Sequence, residues 1–259
     1  MKAAEMFNLT GRVALVTGAS SGLGQQFARA LADKGAAVAL VARRTDRLLD
    51  LQQEIEAAGG KAMAIEADVT DRAAMLAAYD AAEKAFGTVT ILVNNAGVAQ
   101  QPLRVTDVTP EEWRRVLSVD LDAVFFWAQE AARRMIAAKL PGSIVNIASV
   151  LGFGVAKGTA AYAVAKAAVV QTTKALALEL ASKGVRVNAI APGWFVTEIN
   201  DKYLESEAGQ ALKREIPMGR FGNAGDLDGT LLLLASNASA YMTGATVVVD
   251  GGQVIQLKG

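Results

Sequence analysis

The sequence predicts an α/β fold in which one doubly wound, seven-stranded parallel sheet of the Rossmann type carries helices on both faces. Short runs rich in β-branched and aliphatic residues alternate with longer alanine- and leucine-rich segments of helical period. Several of the short runs are apolar at consecutive positions, as in parallel strands covered on both faces. The chain has 259 residues, so we expect one domain over residues 1–259.

The elements follow in strict alternation. Strands are predicted at RVALVT (12–17), AAVALV (36–41), KAMAIE (61–66), VTILVN (89–94), SIVNIAS (143–149), VRVNAI (185–190) and TVVVDG (246–251). Helices are predicted at 22–34, 44–58, 71–86, 110–138, 159–183 and 224–236. The segment 194–219 breaks the alternation, and we expect it to form a substrate lid because such insertions often carry binding loops.

The composition excludes several classes of function. Lys plus Arg and Asp plus Glu number 26 each, so no net charge favours a nucleic acid or membrane partner. The chain lacks cysteine and histidine, which excludes thiolate nucleophiles, serine–histidine hydrolysis and zinc alcohol-dehydrogenase chemistry, and we expect no metal. There is no signal-like start and no run of roughly 18 apolar residues. We therefore expect a soluble cytoplasmic protein with a small-molecule substrate.

A glycine-rich turn, TGASSGLG (17–24), follows the first predicted strand and opens the first helix. Glycine allows a tight turn and a close approach of backbone to ligand, and the free N–H groups of a helix start favour an anion. The turn therefore predicts a dinucleotide phosphate site, although such turns also occur purely for packing. Its predicted cofactor contacts are Gly18, Ser20, Ser21, Gly22, Leu23 and Gly24.

The end of the second strand indicates which dinucleotide binds. NAD sites place a carboxylate there for the ribose 2′-hydroxyl, whereas arginine accommodates the 2′-phosphate of NADP. Here Ala42 stands at the carboxylate position and Arg43 and Arg44 follow. The sequence thus favours NADP(H) over NAD(H), with Arg43 on the phosphate. Arg44 is expected to solvate the start of the next helix, and the alternative is that both arginines do so.

Five motifs in order resemble the short-chain dehydrogenase/reductase family over nearly the whole chain. They are TGxxxGxG at 17–24, NNAG at 94–97, Ser149 at a strand end, YxxxK at 162–166, and PG at 192–193 leading into Thr197. The resemblance implies an oxidoreductase that assembles as a homotetramer through the helices at 110–138 and 159–183.

The resemblance also implies further cofactor contacts. Asp68 and Val69 would meet the adenine, and Asn95, Ala96 and Gly97 would line the adenosine ribose and brace the sheet. Pro192, Gly193, the backbone of Phe195 and the hydroxyl of Thr197 would hold the nicotinamide carboxamide. The alternative for Asp68 is a helix cap, although Thr70 and Asp71 are nearer that position.

The stretch YAVAK places a phenol and an amine on one face of a helix, because positions i and i+4 lie one above the other. An isolated tyrosine has a pKa of about 10, and a neighbouring positive charge lowers the pKa of such a phenol. Tyr162 and Lys166 therefore predict an acid/base pair that needs no histidine. Ser149 would hydrogen-bond the substrate oxygen, and Lys166 would also hold the nicotinamide ribose. The alternative is a core tyrosine beside a solvated lysine.

One position departs from the family pattern. In LSVDLDAVFF, Asp120 stands where most family members carry a catalytic asparagine. An ionised aspartate accepts the same hydrogen bonds but cannot donate one. We expect Asp120 to serve the catalytic site with activity retained and a shifted pH profile.

The substrate pocket is expected to be formed by 98–106, 150–157 and the insertion after Gly193. Its apolar side chains would be Leu151, Phe153, Val155, Trp194, Phe195 and Tyr203, with Lys157, Gln100 and Gln101 as polar exceptions. This predicts a small or medium ketone, interconverted with its secondary alcohol, that has an apolar or aromatic portion.

Three other functions stay open. A 3-oxoacyl-carrier-protein reductase would need a basic patch, to which Arg133 and Arg134 could contribute. A sugar-alcohol or gluconate dehydrogenase is the second, and a non-catalytic NADP(H)-sensing regulator is the third.

Overall fold

The computed structural model describes residues 5–198 and 200–255, and at Tyr203 the main chain alone. The predicted substrate contact of the Tyr203 side chain therefore lies outside the described residues. Within the described ranges, the chain forms one parallel sheet of seven strands in the order β3-β2-β1-β4-β5-β6-β7. The strands are β1 Val13–Thr17, β2 Ala37–Ala42, β3 Lys61–Glu66, β4 Ile91–Asn94, β5 Gly142–Ile147, β6 Val185–Pro192 and β7 Thr246–Val249. Each end lies within two residues of its predicted position, and the predicted fold class is confirmed.

Helices connect the strands and cover the sheet. They are α1 Gly22–Asp33, α2 Thr45–Ala57, α3 Arg72–Phe86, α4 Pro110–Leu117, α5 Ala123–Ala137, α6 Ala160–Leu180, α7 Asp201–Glu205, α8 Glu207–Arg214 and α9 Asp228–Ala235. Helices α7 and α8 lie within the segment 194–219 that is predicted to form the lid. In the described residues, no helix is both long and apolar enough to cross a membrane.

Hydrophobic clusters lie on both faces of the sheet. Successive residues of β1 enter different clusters: Ala14 and Val16 pack on one face with Phe27, while Val13 and Leu15 pack on the other. Because neighbouring side chains of a strand point to opposite faces, apolar residues at consecutive positions require cover on both sides. The consecutive apolar pattern of the strand is thus explained by helices on each face.

The strand order reverses at β1: β2 and β3 are added on one side of β1, and β4 to β7 are added on the other. The loops that leave β1 and β4 therefore diverge and open a crevice at the carboxyl ends of these strands. Ligands of open α/β sheets bind at such a point. The glycine-rich turn and the NNAG segment both lie at this edge.

The helix predicted over 110–138 is not one regular α-helix. A π-helical segment, Ser118–Asp122, separates α4 from α5, so the prediction of an uninterrupted helix is wrong here. Such insertions bulge one turn of a helix and are frequent at functional sites. Asp120 lies in the middle of the segment and is fully buried.

Candidate active site

The glycine-rich turn leaves no room for larger residues. Gly18 has a φ of +68°, and a Cβ atom there would lie 2.8 Å from the Cα of Ala96. A Cβ at Gly24 would lie 2.2 Å from the carbonyl oxygen of Gly18. These contacts fix the turn between β1 and α1 against the segment that follows β4. The predicted residues of the turn are thus brought to the crevice.

The start of α1 has the features of an anion site. Ser21 occupies the N-cap position, but its side chain does not cap the helix, and the first turn carries no acidic residue. The first N–H groups of a helix have no intrahelical acceptor and attract negative charge. A phosphate group of a dinucleotide fits these residues, and Gly22 and Leu23 would present their N–H groups to it.

Arg44 lies on the glycine-rich turn. Its Nε and Nη2 atoms donate to Ser20 Oγ at 3.1 and 2.9 Å, and Nη2 donates to Ser21 Oγ at 2.6 Å. The expectation that Arg44 only solvates the start of α2 is therefore wrong. Arg43 instead lies near Asp68, with 3.8 Å between Nη1 and Oδ2, and its side chain is 74% exposed. Two guanidinium groups thus flank the end of β2, and the Ser21 hydroxyl bonds to Arg44 instead of capping α1.

Asp68 makes a local turn after β3. Its Oδ1 atom accepts from the backbone N–H of Thr70 at 2.9 Å and from the Thr70 hydroxyl at 2.7 Å. These hydrogen bonds, the backbone one first, lower the pKa of the Asp68 carboxyl. Asp71 caps α3 through the N–H groups of Ala73 and Ala74. The capping alternative for Asp68 is therefore wrong, and its carboxylate stays at the crevice near Arg43.

Val69 is fixed by a long-range contact. Its carbonyl oxygen accepts from the indole N–H of Trp127 at 3.0 Å. Trp127 is fully buried on α5, and its own carbonyl accepts from the hydroxyl of Tyr79 at 2.8 Å. The segment that follows β3 is therefore anchored to the core behind it.

Asn95 joins the two loops of the crevice. Its Nδ2 atom donates to the carbonyl oxygens of Thr17 at 3.0 Å and Gly18 at 3.3 Å. In return, the N–H groups of Asn95 and Ala96 donate to Thr17 Oγ1 at 3.0 and 3.1 Å. The bracing of the central sheet expected of this segment is therefore present as four hydrogen bonds.

The segment after β6 is folded around Asn200. Its Oδ1 atom accepts from the N–H and hydroxyl of Thr197 at 2.9 and 3.1 Å, and its Nδ2 atom donates to the carbonyl of Phe195 at 2.9 Å. A Cβ at Gly22 would lie 3.3 Å from the side chain of Thr197, so this segment reaches the glycine-rich turn. Gly193 packs against Asp250, where an added Cβ would come within 2.7 Å. Pro192 is the last residue of β6.

Ser149 follows β5 and begins a 3₁₀ turn. Its Oγ atom accepts from the N–H of Leu151 at 3.1 Å, and the residue is 8% exposed. Within the described ranges its hydroxyl donates no hydrogen bond, so the proton stays available. A Cβ at Gly152 would lie 2.9 Å from the carbonyl oxygen of Lys166, so the 3₁₀ turn packs closely on α6. The serine and the YAVAK helix are thereby held together.

Tyr162 and Lys166 share one face of α6, as predicted. The Nζ atom of Lys166 lies 5.4 Å from the centre of the Tyr162 ring. Tyr162 is half-buried, and its hydroxyl has no hydrogen-bond partner among the residues described. The alternative of a solvated lysine is wrong, because Lys166 is only 4% exposed. Its ammonium donates to the carbonyl of Ile147 at 3.1 Å.

A buried lysine needs compensating charge. Burial lowers the pKa of Lys166, but the charges of Asp120 and Tyr162 raise it by more, so that the net shift is upward. Asp120 Oδ1 lies 3.0 Å from Lys166 Nζ. The amine is therefore protonated at neutral pH and places a fixed positive charge beside the phenol.

A cavity of about 990 Å³ lies between α6 and the segment that follows Ser149, and the side chains of Ser149, Tyr162 and Lys166 are not among those that line it. It is lined by segments 102–105 and 151–158 and by Ala160, Ala163, Val164 and Ala167 of α6. Leu151, Phe153 and Lys157, which we predicted for the substrate pocket, are among its lining residues. In the described part of the chain, the segment after Gly193 does not line this cavity. The expectation that the insertion forms part of the substrate pocket stays a prediction.

Two predicted pocket residues are engaged elsewhere. Phe195 is 6% exposed, and its ring covers Gly222, where an added Cβ would lie 2.5 Å from Cε1. The Oε1 atom of Gln100 accepts from the N–H of Tyr162 at 3.1 Å, so this side chain satisfies the start of α6. Trp194 is half-buried, and its carbonyl accepts from Gly222 at 2.9 Å.

Comparison with known proteins assigns the chain to a family. A family model described as enoyl-(acyl carrier protein) reductase matches residues 18–253. The gluconate 5-dehydrogenase of Gluconobacter oxydans is 37% identical over 254 residues, which cover 98% of each chain. The galactitol 2-dehydrogenase (L-tagatose-forming) of Cereibacter sphaeroides is 43% identical over 255 residues, covering 96% of this chain and 98% of that protein.

Solved structures agree with this assignment. The crystal structure of a gluconate 5-dehydrogenase from Burkholderia cenocepacia, in complex with NADP and tartrate, superposes with a TM-score of 0.93 at 37% identity. The match covers 99% of this chain and 100% of the other. These matches over nearly the whole chain show that the chain belongs to the short-chain dehydrogenase/reductase family.

Proposed function

We propose that the chain is an NADP(H)-dependent oxidoreductase that interconverts a small or medium ketone and its secondary alcohol. The observation that carries the proposal is the buried, protonated Lys166, whose Nζ atom lies 5.4 Å from the ring centre of Tyr162. The ammonium thus supplies a fixed positive charge that stabilises negative charge developing on the phenolic oxygen as the proton is transferred.

Three side chains divide the chemistry at the carbonyl. A reduced nicotinamide, when bound, supplies a hydride to the carbonyl carbon. Tyr162 gives its phenolic proton to the carbonyl oxygen, so that the C=O bond becomes an alcohol and the phenolate regains a proton from solvent. Ser149, whose oxygen already accepts from Leu151, donates its free O–H to the same oxygen and orients it. Oxidation of the alcohol runs through the same groups in reverse.

Two guanidinium groups support the preference for NADP(H). Arg43 and Arg44 flank the end of β2, where Ala42 replaces the carboxylate of NAD sites. Arg44 reaches the glycine-rich turn, and Arg43 lies above Asp68. A planar guanidinium matches the oxygens of a phosphate. The NADP complex of the Burkholderia cenocepacia relative is consistent with this choice.

The remaining cofactor contacts are those that the family resemblance implies. Asp68 and Val69 would contact the adenine, and Asn95 to Gly97 would line the adenosine ribose. Pro192, Gly193, Phe195 and Thr197 would hold the carboxamide, and Lys166 would hold the nicotinamide ribose.

The segment that follows Ser149 favours a substrate with an apolar portion. It carries Leu151, Phe153 and Val155, with Lys157 as its charged residue. The second candidate substrate class is a sugar acid or polyol, because the two curated relatives described above act on gluconate and galactitol. Activity assays with apolar ketones, polyols and sugar acids distinguish these two substrate classes.

A carrier-protein substrate is disfavoured by the charges on α5. Arg134 forms ion pairs with Asp80, Glu83 and Glu130 at 2.7 to 2.8 Å. Arg133 lies 3.8 Å from Glu130. Since these acidic groups neutralise the two arginines, they do not form the free basic patch that an acidic carrier needs.

The direct test is spectrophotometric. NADPH and NADH oxidation are measured against aliphatic, aryl and β-keto carbonyls, and NADP⁺ reduction against polyols and sugar acids. We expect NADPH oxidation with at least one ketone and loss of that activity in Tyr162→Phe. Tight NADPH binding without turnover of any substrate would instead favour the NADP(H)-sensing regulator.

A homotetramer is the proposed assembly. Phe125 and Phe126 of α5 and Leu178 of α6 are exposed, with Leu178 at 83%. Apolar side chains left outside on two adjacent helices are typical of a subunit interface. Light scattering after size-exclusion chromatography measures the assembly directly.

A further inference from the structure

We infer that Asp120 is a positioning residue that balances the charge of Lys166 directly and ties the catalytic lysine to the loop after β4. The inference rests on the proposed function and names a residue that acts through the lysine rather than on the substrate. It differs from the expectation for an asparagine at this position, because a carboxylate brings a full negative charge into contact with the ammonium.

Both carboxylate oxygens of Asp120 are engaged. Oδ1 lies 3.0 Å from Lys166 Nζ, and Oδ2 accepts from the N–H of Val98 at 3.0 Å. Asp120 is 0% exposed, so neither oxygen reaches bulk solvent. Among the described residues, Oδ1 accepts no hydrogen bond, so its charge is balanced through the ion pair with Lys166.

The local backbone is adapted to this pair. Asp120 lies at the centre of the π-helical segment Ser118–Asp122, whose extra residue per turn lets a side chain project where a regular helix would not place it. On the opposite side stands Gly97, where a Cβ would lie 2.8 Å from Oδ1 and 3.7 Å from Lys166 Nζ. Only glycine leaves space for the carboxylate and the ammonium to meet.

The charged groups around the pair are few. Lys166 and Tyr162 face it from α6, and Arg115 of α4 interacts with Asp120 over a longer range. Arg115 itself is held by Glu112 at 2.7 and 2.8 Å and by the carbonyl of Ala99 at 3.0 Å. The field at the phenol is therefore set mainly by one lysine whose charge is partly neutralised by one aspartate.

The sign of the effect follows. The carboxylate keeps Lys166 protonated but weakens its attraction for a phenolate. Replacing Asp120 by asparagine keeps the shape and removes the negative charge, so the ammonium attracts negative charge on the phenolic oxygen more strongly. We expect the pH midpoint of alcohol oxidation in Asp120→Asn to move down by about half to one pH unit.

The first experiment compares pH–rate profiles of kcat for wild type, Asp120→Asn and Asp122→Asn. Asp122 lies in the same π-helical segment but is exposed, so it is a matched control. The inference predicts a lower midpoint for Asp120→Asn alone. Superimposable profiles for wild type and Asp120→Asn, or an equal shift in Asp122→Asn, would overturn it.

The second experiment needs no activity and so separates this inference from the proposed function. The pKa of Lys166 is higher in the folded protein than in the unfolded chain, where a lysine has a pKa of about 10.4. The ion pair therefore contributes its full stabilisation at pH values below the unfolded pKa. This stabilisation is lost as the pH rises through the folded pKa. The difference in unfolding free energy between wild type and Asp120→Asn should therefore be constant from about pH 7 to 9 and shrink toward pH 11.

A difference that stays unchanged to pH 11 would contradict the charge pairing, whatever the activity. If Asp120→Asn is too unstable to study, Asp120→Asn with Lys166→Met removes both charges and should unfold at a higher temperature than Asp120→Asn. A double variant that is less stable than the single one would equally overturn the inference. Wild-type protein that turns over no substrate would count against the proposed function alone.

Discussion

Arg44 donates from Nη2 to Ser21 Oγ at 2.6 Å, and through this contact a residue of the β2–α2 connection lies on the glycine-rich turn of β1–α1. Because the Ser21 hydroxyl is occupied, the N–H groups at the start of α1 are left for a ligand. A cation is thus brought from the neighbouring strand to a turn that has none of its own.

The two arginines should both contribute to NADPH selectivity. We expect Arg43→Ala and Arg44→Ala each to lower kcat/KM for NADPH about tenfold, which corresponds to about 1.4 kcal/mol, with little change for NADH. Steady-state kinetics with both cofactors measures this. Arg29→Ala is the control, since Arg29 pairs with Glu54 on the outer side of α1 and α2. Equal rates with both cofactors in the wild type would contradict the role of both arginines.

Removal of the phenolic hydroxyl should abolish catalysis without weakening the fold. We expect Tyr162→Phe to lower kcat by roughly 10² to 10⁴, the usual contribution of a general acid, while the KM for NADPH and the thermal midpoint stay close to those of wild type. Tyr241→Phe is a matched control because Tyr241 is fully exposed. If Tyr162→Phe kept wild-type kcat, another group would have to supply the proton.

The sheet and its motifs were predictable because they depend on local patterns. Consecutive apolar runs identified every strand within two residues, and the spacing of YAVAK placed Tyr162 and Lys166 on one face. The π-helical segment at Ser118–Asp122 was not predictable, since the apolar pattern of 110–138 continues through one extra residue. The one signal near it was Asp120 in LSVDLDAVFF, a charged residue that the structure shows to be fully buried.

Other site residues depend on contacts that the sequence does not encode locally. Adjacent Arg43 and Arg44 look alike in sequence, and the backbone direction at the end of β2 decides which of them reaches Ser21. Asn200 organises the segment after β6 through three hydrogen bonds, but it stands in a polar stretch without a recognisable motif. Such roles become visible only once the fold brings distant elements together.

A chain of buried amides holds the strands behind the site. Asn94 Nδ2 donates to Asn146 Oδ1 at 2.9 Å, and Asn146 Nδ2 donates to Thr173 Oγ1 at 3.0 Å. We expect Asn146→Ala to destabilise the fold by about 2 to 3 kcal/mol, because it removes both hydrogen bonds and leaves a cavity. Urea unfolding measures the change. Asn237→Ala, at an exposed position, should change it by less than about 0.5 kcal/mol, and similar losses in both would refute the prediction.

Gly97 and Gly229 should respond in opposite ways to alanine. At Gly97 the new Cβ would lie 2.8 Å from Asp120 Oδ1, so the carboxylate must shift, and we expect the ion pair with Lys166 to lengthen. At Gly229 nothing lies within 4 Å, and the residue is an exposed position of α9.

We expect Gly97→Ala to lower kcat about tenfold, which corresponds to about 1.4 kcal/mol of activation free energy, and to destabilise the fold. The crowded contact should displace the Lys166 ammonium and so weaken its electrostatic effect on Tyr162. Gly229→Ala should instead stabilise the fold by about 0.5 to 1 kcal/mol, since alanine has the higher helix propensity, and should leave kcat unchanged. Chemical unfolding and NADPH kinetics on both variants provide the comparison. Wild-type kcat in Gly97→Ala would mean that the Asp120 carboxylate has space to shift, and that close packing at Gly97 does not set the geometry of the pair.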